Sequence, residues 1–144
     1  MTRLFVALFY LLWGPSAPAG TADSPVGLWL AVNDQGKPTG YIRITEQDGV
    51  LRGVVERGLP TDTRHRFCTA CKDQRKNQRL LGMEIISGLQ RNGDDYDGGE
   101  ILEPFSGKVY NAKLTLLDGG AKLQVRGYLG VSLFGRTQVW LREE

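Results

Sequence analysis

Lys122-Leu-Gln-Val-Arg-Gly-Tyr-Leu-Gly-Val-Ser-Leu-Phe-Gly-Arg-Thr-Gln-Val-Trp-Leu-Arg142 is the stretch that decides the fold. Apolar and polar residues alternate along it with the period of two that marks a half-buried strand. Gly127, Gly130 and Gly135 punctuate the alternation. The pattern predicts one strand over Lys122 to Leu129 and another over Gly135 to Arg142. Between them Gly130 to Phe134 is apolar but bracketed by glycines, which predicts a bulge or a short helical turn. Nothing in the run supplies a nucleophile with its base, a phosphate loop or a metal cage.

Six more strands are predicted upstream. They cover Val26 to Val32, Tyr41 to Glu46, Val50 to Arg57, Leu80 to Leu89, Tyr96 to Leu102 and Lys108 to Leu117. Asp48-Gly49 makes a tight hairpin turn, since glycine tolerates the positive φ such turns need. Gly58 to Arg79 breaks the rhythm: it is polar, holds both cysteines and alternates poorly. It reads as one long loop between strands three and four, with a short helix near Asp73 to Gln78. Loops of that length in compact domains are often functional. No long amphipathic helix is predicted, so the class is all-β. Eight meandering strands left open would expose two edges, and closure removes them. About eight strands suffice for a barrel that holds one small ligand. The expected architecture is an eight-stranded antiparallel up-and-down barrel.

The N-terminus reads as a processing signal. Leu4 to Trp13 is an unbroken apolar run after Arg3, and it is shorter than the roughly 20 residues of a spanning helix. Ala17-Pro18-Ala19 fits a cleavage site before Gly20; a cut after Ala22 fits as well. Residues 1–22 are expected to be a signal peptide and 23–144 a single domain. A domain of that size supports a core of its own. The 144-residue chain carries +2, with both signs mixed along it, which gives no nucleic-acid footprint. The expected location is periplasmic or secreted, with no membrane span.

Gly27-Leu-Trp29 near the start, with Trp140 and Arg142 at the end, resembles the lipocalin pattern. There a Gly-x-Trp of the first strand packs beneath an arginine from the end of the barrel. Arg136 and Arg142 both compete for that role. Further residues resemble a family of uncharacterised exported bacterial proteins, domain of unknown function 2147. They are Cys68-x-x-Cys71, Gly98-Gly99-x-Ile101-Leu102-x-Pro104, Gly107-x-x-Tyr110, Val125-Arg-Gly-Tyr-Leu-Gly130 and Leu133-Phe-Gly-Arg-Thr-Gln138. The resemblance implies a lipocalin-like barrel and assigns no activity or catalytic residue.

Cys68-Thr-Ala-Cys71 is the sharpest local motif. Two cysteines in an exported protein are expected to pair as a disulfide. Redox exchange is a rival reading, with Arg64, Arg66 and Lys72 as nearby cations that would favour a thiolate. Metal binding is another, with His65 joining the cysteines and Asp62 and Asp73 flanking them. A c-type haem is excluded, because Lys72 rather than histidine follows Cys71. No cofactor is implied.

A second candidate site lies on the strand faces. Arg126, Tyr128, Gln138 and Trp140, with Tyr110 of the sixth strand, would line a polar cavity if they point inward. Arginine grips a carboxylate or other anion through a fork of donors, and tyrosine adds a hydroxyl. The opposite reading puts Val125, Val139 and Leu141 inside, because periodicity gives the alternation but not its sign. Asp94, Asp95, Asp97, Glu100 and Glu103 read as a solvated hairpin. Ser106 and Ser132 have no histidine relay near them in sequence. The expected function is a non-enzymatic barrel for a small amphipathic or apolar ligand with an anionic end. Its rivals are an envelope interaction module with a barrel filled by side chains, and a redox or metal protein using Cys68 and Cys71.

Overall fold

The computed structural model describes residues 23–59, 66–131 and 133–144. The leader over residues 1–22, the group Asp62, Arg64 and His65, and Ser132 lie outside the described residues. Eight strands follow in chain order: β1 (Gly27–Val32), β2 (Pro38–Gln47), β3 (Val50–Gly58), β4 (Glu84–Asn92), β5 (Asp95–Glu103), β6 (Lys108–Leu117), β7 (Lys122–Tyr128) and β8 (Gly135–Arg142). Each pairs antiparallel with its sequence neighbour, and β8 returns to β1. The result is the closed up-and-down barrel expected from the alternation. Asp48 and Gly49 both take positive φ, 52° and 79°, as a tight hairpin between right-twisted strands requires.

Two local expectations are corrected. The fourth strand begins at Glu84, not Leu80. Leu80 to Met83 turn back on themselves instead, with Met83 N–H donating to the Leu80 carbonyl at 2.9 Å. Residues 73–78 form a turn rather than a helix. Asp73 shapes it by accepting the Arg75 backbone N–H at 2.9 Å, a local bond that competes with helical pairing.

Connections in such a barrel alternate between its two ends. β1–β2, β3–β4, β5–β6 and β7–β8 share one end; β2–β3, β4–β5, β6–β7 and both chain termini share the other. The inward side chains pack most tightly at the second end. Trp29, Ile44, Leu51, Ile86, Leu89, Leu114 and Leu123 are fully buried there and through the middle. Among the described residues no helix is long and apolar enough to cross a membrane.

Candidate ligand site

The tightly packed end is closed by Arg142. Its guanidinium lies 4.3 Å from the centre of the Trp29 ring. It donates from Nε to the Gly120 carbonyl at 2.6 Å, from Nη2 to Ser24 at 2.6 Å and from Nη1 to Val26 at 2.9 Å. Trp29 Nε1 donates to the Pro25 carbonyl at 2.8 Å. Burial pushes the Arg142 pKa down, yet the aromatic face and three carbonyls keep the cation partnered. Of the two arginines that compete for the lipocalin role, Arg142 takes it. Arg136 sits at the far end.

That far end is open. A cavity of about 550 Å³ runs into the barrel from it, within the range of roughly 300–1,000 Å³ of small-molecule sites. Its depths are apolar: Ala31, Ile42, Val55, Ile85, Val125 and Trp140 line it. Its mouth is basic, with Arg57, Arg66, Arg79 and Arg136 at the lining, against Asp34 and Glu103. Neither carboxylate stands alone. Asp34 accepts from Gln138 Nε2 at 2.9 Å and pairs with Arg136 at 3.7 Å. Glu103 accepts the backbone N–H groups of Phe105 and Ser106, each at 3.0 Å, and so shapes the β5–β6 turn. Trp140 Nε1 donates to Gln138 Oε1 at 3.0 Å, which makes a chain from the cavity wall to the rim.

The structure brings Tyr110, Gln138 and Trp140 of the predicted set into this cavity lining. Arg126 and Tyr128 are not among them. The expectation that all five share one inward face fails on register. Val125 pairs with Gln138 and Arg126 with Thr137, and directly opposed residues of an antiparallel pair share a face. With Gln138 and Trp140 inside, Val125 and Leu123 must be inside too, and both are buried. Arg126 therefore lies on the outer wall, where Nη1 donates to Thr137 Oγ1 at 2.8 Å. Val139 and Leu141 are also outside, well exposed.

No local signal marks the mouth arginines as one set: Arg66 stands out only as a cation beside the cysteines and Arg136 only as a rival of Arg142. Arg57 is the last residue but one of β3, Arg66 and Arg79 flank the cysteine segment, and Arg136 is the second residue of β8. Only the rule that alternate connections share an end would have gathered them.

Cys68 and Cys71 form a disulfide, with Cα atoms 5.4 Å apart. Joined in this way, the sulfurs offer no thiolate to a metal. Both cysteines are buried in the core. The loop they close rests on the β5–β6 turn so tightly that Gly107, at φ +72°, has no room for a Cβ beside the Ala70 carbonyl. A disulfide belongs to an oxidising compartment. The acidic group around β5 serves local structure. Asp95 accepts from Thr115 Oγ1 at 2.7 Å and pairs with Lys113 at 3.3 Å, while Asp97 accepts from Asn92. Among the described residues no cluster of three or more His, Cys, Asp or Glu is placed to hold a metal. Ser106 lies at the β5–β6 turn, where its Oγ accepts the Lys108 backbone N–H at 3.3 Å.

A family model described as uncharacterized protein conserved in bacteria (DUF2147) matches residues 27–142. The chain belongs to this family. The matched span runs from the glycine before Trp29 to Arg142, so the whole barrel of this DUF2147 member lies within it. Among solved structures the chain is similar to protein HP1028 from Helicobacter pylori, described as belonging to the lipocalin family. The two are 16% identical, the match covers 84% of each chain, and the TM-score is 0.72. At that identity the likeness establishes a lipocalin-like fold and nothing finer. No curated protein matches the chain.

Proposed function

We propose that this DUF2147 protein is an exported, non-enzymatic carrier of a small amphipathic molecule with an apolar body and an anionic head. The observation that carries the reading is the polarity gradient of the cavity. Apolar walls surround its depths and four arginines stand at its mouth. A chain or ring system placed in the barrel would be stripped of water by Ile42, Val55, Ile85 and Val125. That burial is worth roughly 25 cal/mol per Å². A carboxylate or phosphate at the other end would meet Arg79 and Arg136, with Tyr110 and Gln138 as further hydrogen-bonding groups. A barrel filled by side chains, as an interaction module would present, does not fit an interior with this much space. The disulfide supports a periplasmic or secreted location for a protein of a bacterial family, and the apolar leader supplies the route.

The test is recovery and replacement of the guest. Organic extraction of purified protein followed by mass spectrometry should yield an amphipathic species. A fluorescent long-chain carboxylate should then bind the extracted protein and quench Trp140, whose ring lines the cavity. An empty extract together with no binding of any long-chain carboxylate or phosphate ester would end the reading.

A further inference from the structure

The two ends of the barrel carry opposite charge. At the closed end the connections and termini hold Asp23, Asp48, Asp94, Asp118, Glu143 and Glu144, against Arg142 and Lys122 at the strand ends, with Lys122 paired to Asp118 at 3.3 Å and Arg43 to Glu144 at 3.4 Å. At the open end the described connections hold Lys37, Arg66, Lys72, Arg75, Lys76 and Arg79 against Asp34 and Asp73. Asp34 is engaged by Gln138 and Arg136, and Asp73 by Arg75. The field of the molecule therefore points along the barrel axis, with the mouth positive.

Large apolar side chains are exposed at that same end. The β7–β8 connection projects Leu129, Val131, Leu133 and Phe134, the last two 84% and 71% exposed. Phe67 and Leu81 from the β3–β4 connection and Phe105 from the β5–β6 turn add to the rim. Among the described residues, the exposed large apolar side chains of the closed end and outer wall are far fewer: Val26, Val139 and Leu141. Lys72 and Lys108 share a shallow outer groove with Leu129, so cations flank the apolar tip directly.

We propose that the open end docks on the surface of an anionic lipid bilayer, with the β7–β8 tip inserted among the headgroups. The exposed apolar side chains come from three separate connections around the cavity mouth, and Phe67, Leu81 and Phe105 also line the cavity itself. Leucine and phenylalanine flanked by lysine and arginine are the composition that seats in a headgroup layer. The opposite charge of the far end turns the mouth, and with it the cavity, toward the lipid. The docking is separable from the proposed carrier function, because Leu133 and Phe134 are not part of the cavity lining.

Flotation with vesicles of phosphatidylcholine, alone or mixed with phosphatidylglycerol, tests it on protein expressed from the full chain and purified in mature form. The protein should float with the mixed vesicles, weakly with the neutral ones, and less as salt rises. Leu133→Ser with Phe134→Ser should lower the bound fraction about tenfold or more. Lys76→Glu with Arg79→Glu should do the same through charge. Asp48→Lys with Asp94→Lys, at the far end, should leave the bound fraction no lower. Circular dichroism and binding of the fluorescent carboxylate without vesicles would show that the Leu133 and Phe134 variant keeps its barrel and cavity. Three results would overturn the proposal. One is no flotation with anionic vesicles at low salt. Another is full flotation of the Leu133 and Phe134 variant. The third is a dimer in solution that this variant dissolves, which would make a second copy the occupant.

Discussion

Arg142 stacks on Trp29 from the opposite end of the chain, one residue closing the last strand and the other opening the first. Their strands pair at two positions, Trp29 with Arg142 and Leu30 with Leu141, and backbone bonds from Leu28 to Glu143 and Glu144 extend the contact just past β8. The stack and three carbonyl bonds thus reinforce a short ladder. Arg142→Leu keeps much of the stem's packing but leaves the carbonyls of Ser24, Val26 and Gly120 without their donor. Bonds to a charged group are worth about 1.5–3 kcal/mol each, and their losses overlap. A loss of about 2–4 kcal/mol in urea unfolding is expected. Trp29→Ala should cost about 3–5 kcal/mol, as for other buried aromatics.

The cavity makes a prediction that separates inner from outer arginines. Arg79→Leu with Arg136→Leu should weaken a bound long-chain carboxylate by about tenfold or more. Arg126→Leu, on the outer wall, should leave affinity within about twofold, although it removes the bond to Thr137. Val125→Phe should block the cavity at an overpacking cost of about 1–3 kcal/mol. Fluorescence titration reads all three.

Removing the disulfide with Cys68→Ala and Cys71→Ala should destabilise the protein by about 2 kcal/mol, the low end for so short a loop. Gly107→Ala acts on the same contact from the other side. It puts a methyl group against the Ala70 carbonyl and strains a positive φ, so about 1–3 kcal/mol is expected. Thermal unfolding with and without reductant compares the two. Once the bridge is reduced, Gly107→Ala should cost less, because the loop can then lift away.

Export predicts a defined new N-terminus. Sequencing of protein from the envelope fraction should begin at Gly20 or Asp23. Cytosolic protein that keeps Met1 would contradict it. Thiol counting under denaturing conditions should find no free cysteine.

The Asp73–Arg75 pair gives a pH dependence. The Arg75 guanidinium, 2.5 Å from Asp73, and the Arg75 backbone N–H hold the Asp73 carboxyl at about 2. Its folded pKa therefore lies below the roughly 3.9 of an unfolded aspartate. Its contribution is complete above about pH 4 and disappears as pH falls through about 2. The stability gap between wild type and Asp73→Asn should be level at neutral pH and close in that acid window. Paired denaturation curves across pH measure it.

The strands were legible because their signal is local. β6 and β8 begin and end where alternation and glycine say they should. At β4 the alternation starts the strand too early, because Leu80, Leu81 and Met83 are apolar enough to pass for strand. Nothing local shows that Gly82 takes a positive φ and turns them. The site was half legible. The chemistry of Trp140 and Gln138 marks them as candidates, and they do line the cavity, but joining Arg126 to them needs a register that alternation alone does not supply. Which residues of two strands face each other depends on the hairpin between them, and the sequence from Leu129 to Phe134 holds no standard hairpin dipeptide. The choice between Arg136 and Arg142 had the same cause. Either sits at the right period, and only the closed barrel says which end of β8 meets Trp29.

The brevity of the β1–β8 ladder has a mechanical consequence. The other neighbouring strands share longer runs of paired positions, so the cylinder has one seam. Amides of Leu28 and Glu143, which bridge it, should exchange with solvent ahead of those on β6 and β7. A guest too bulky for the resting interior would be admitted by that seam parting, not by uniform swelling of the wall. The staple on the Trp29 ring then sets how far the cylinder can gape before it comes apart.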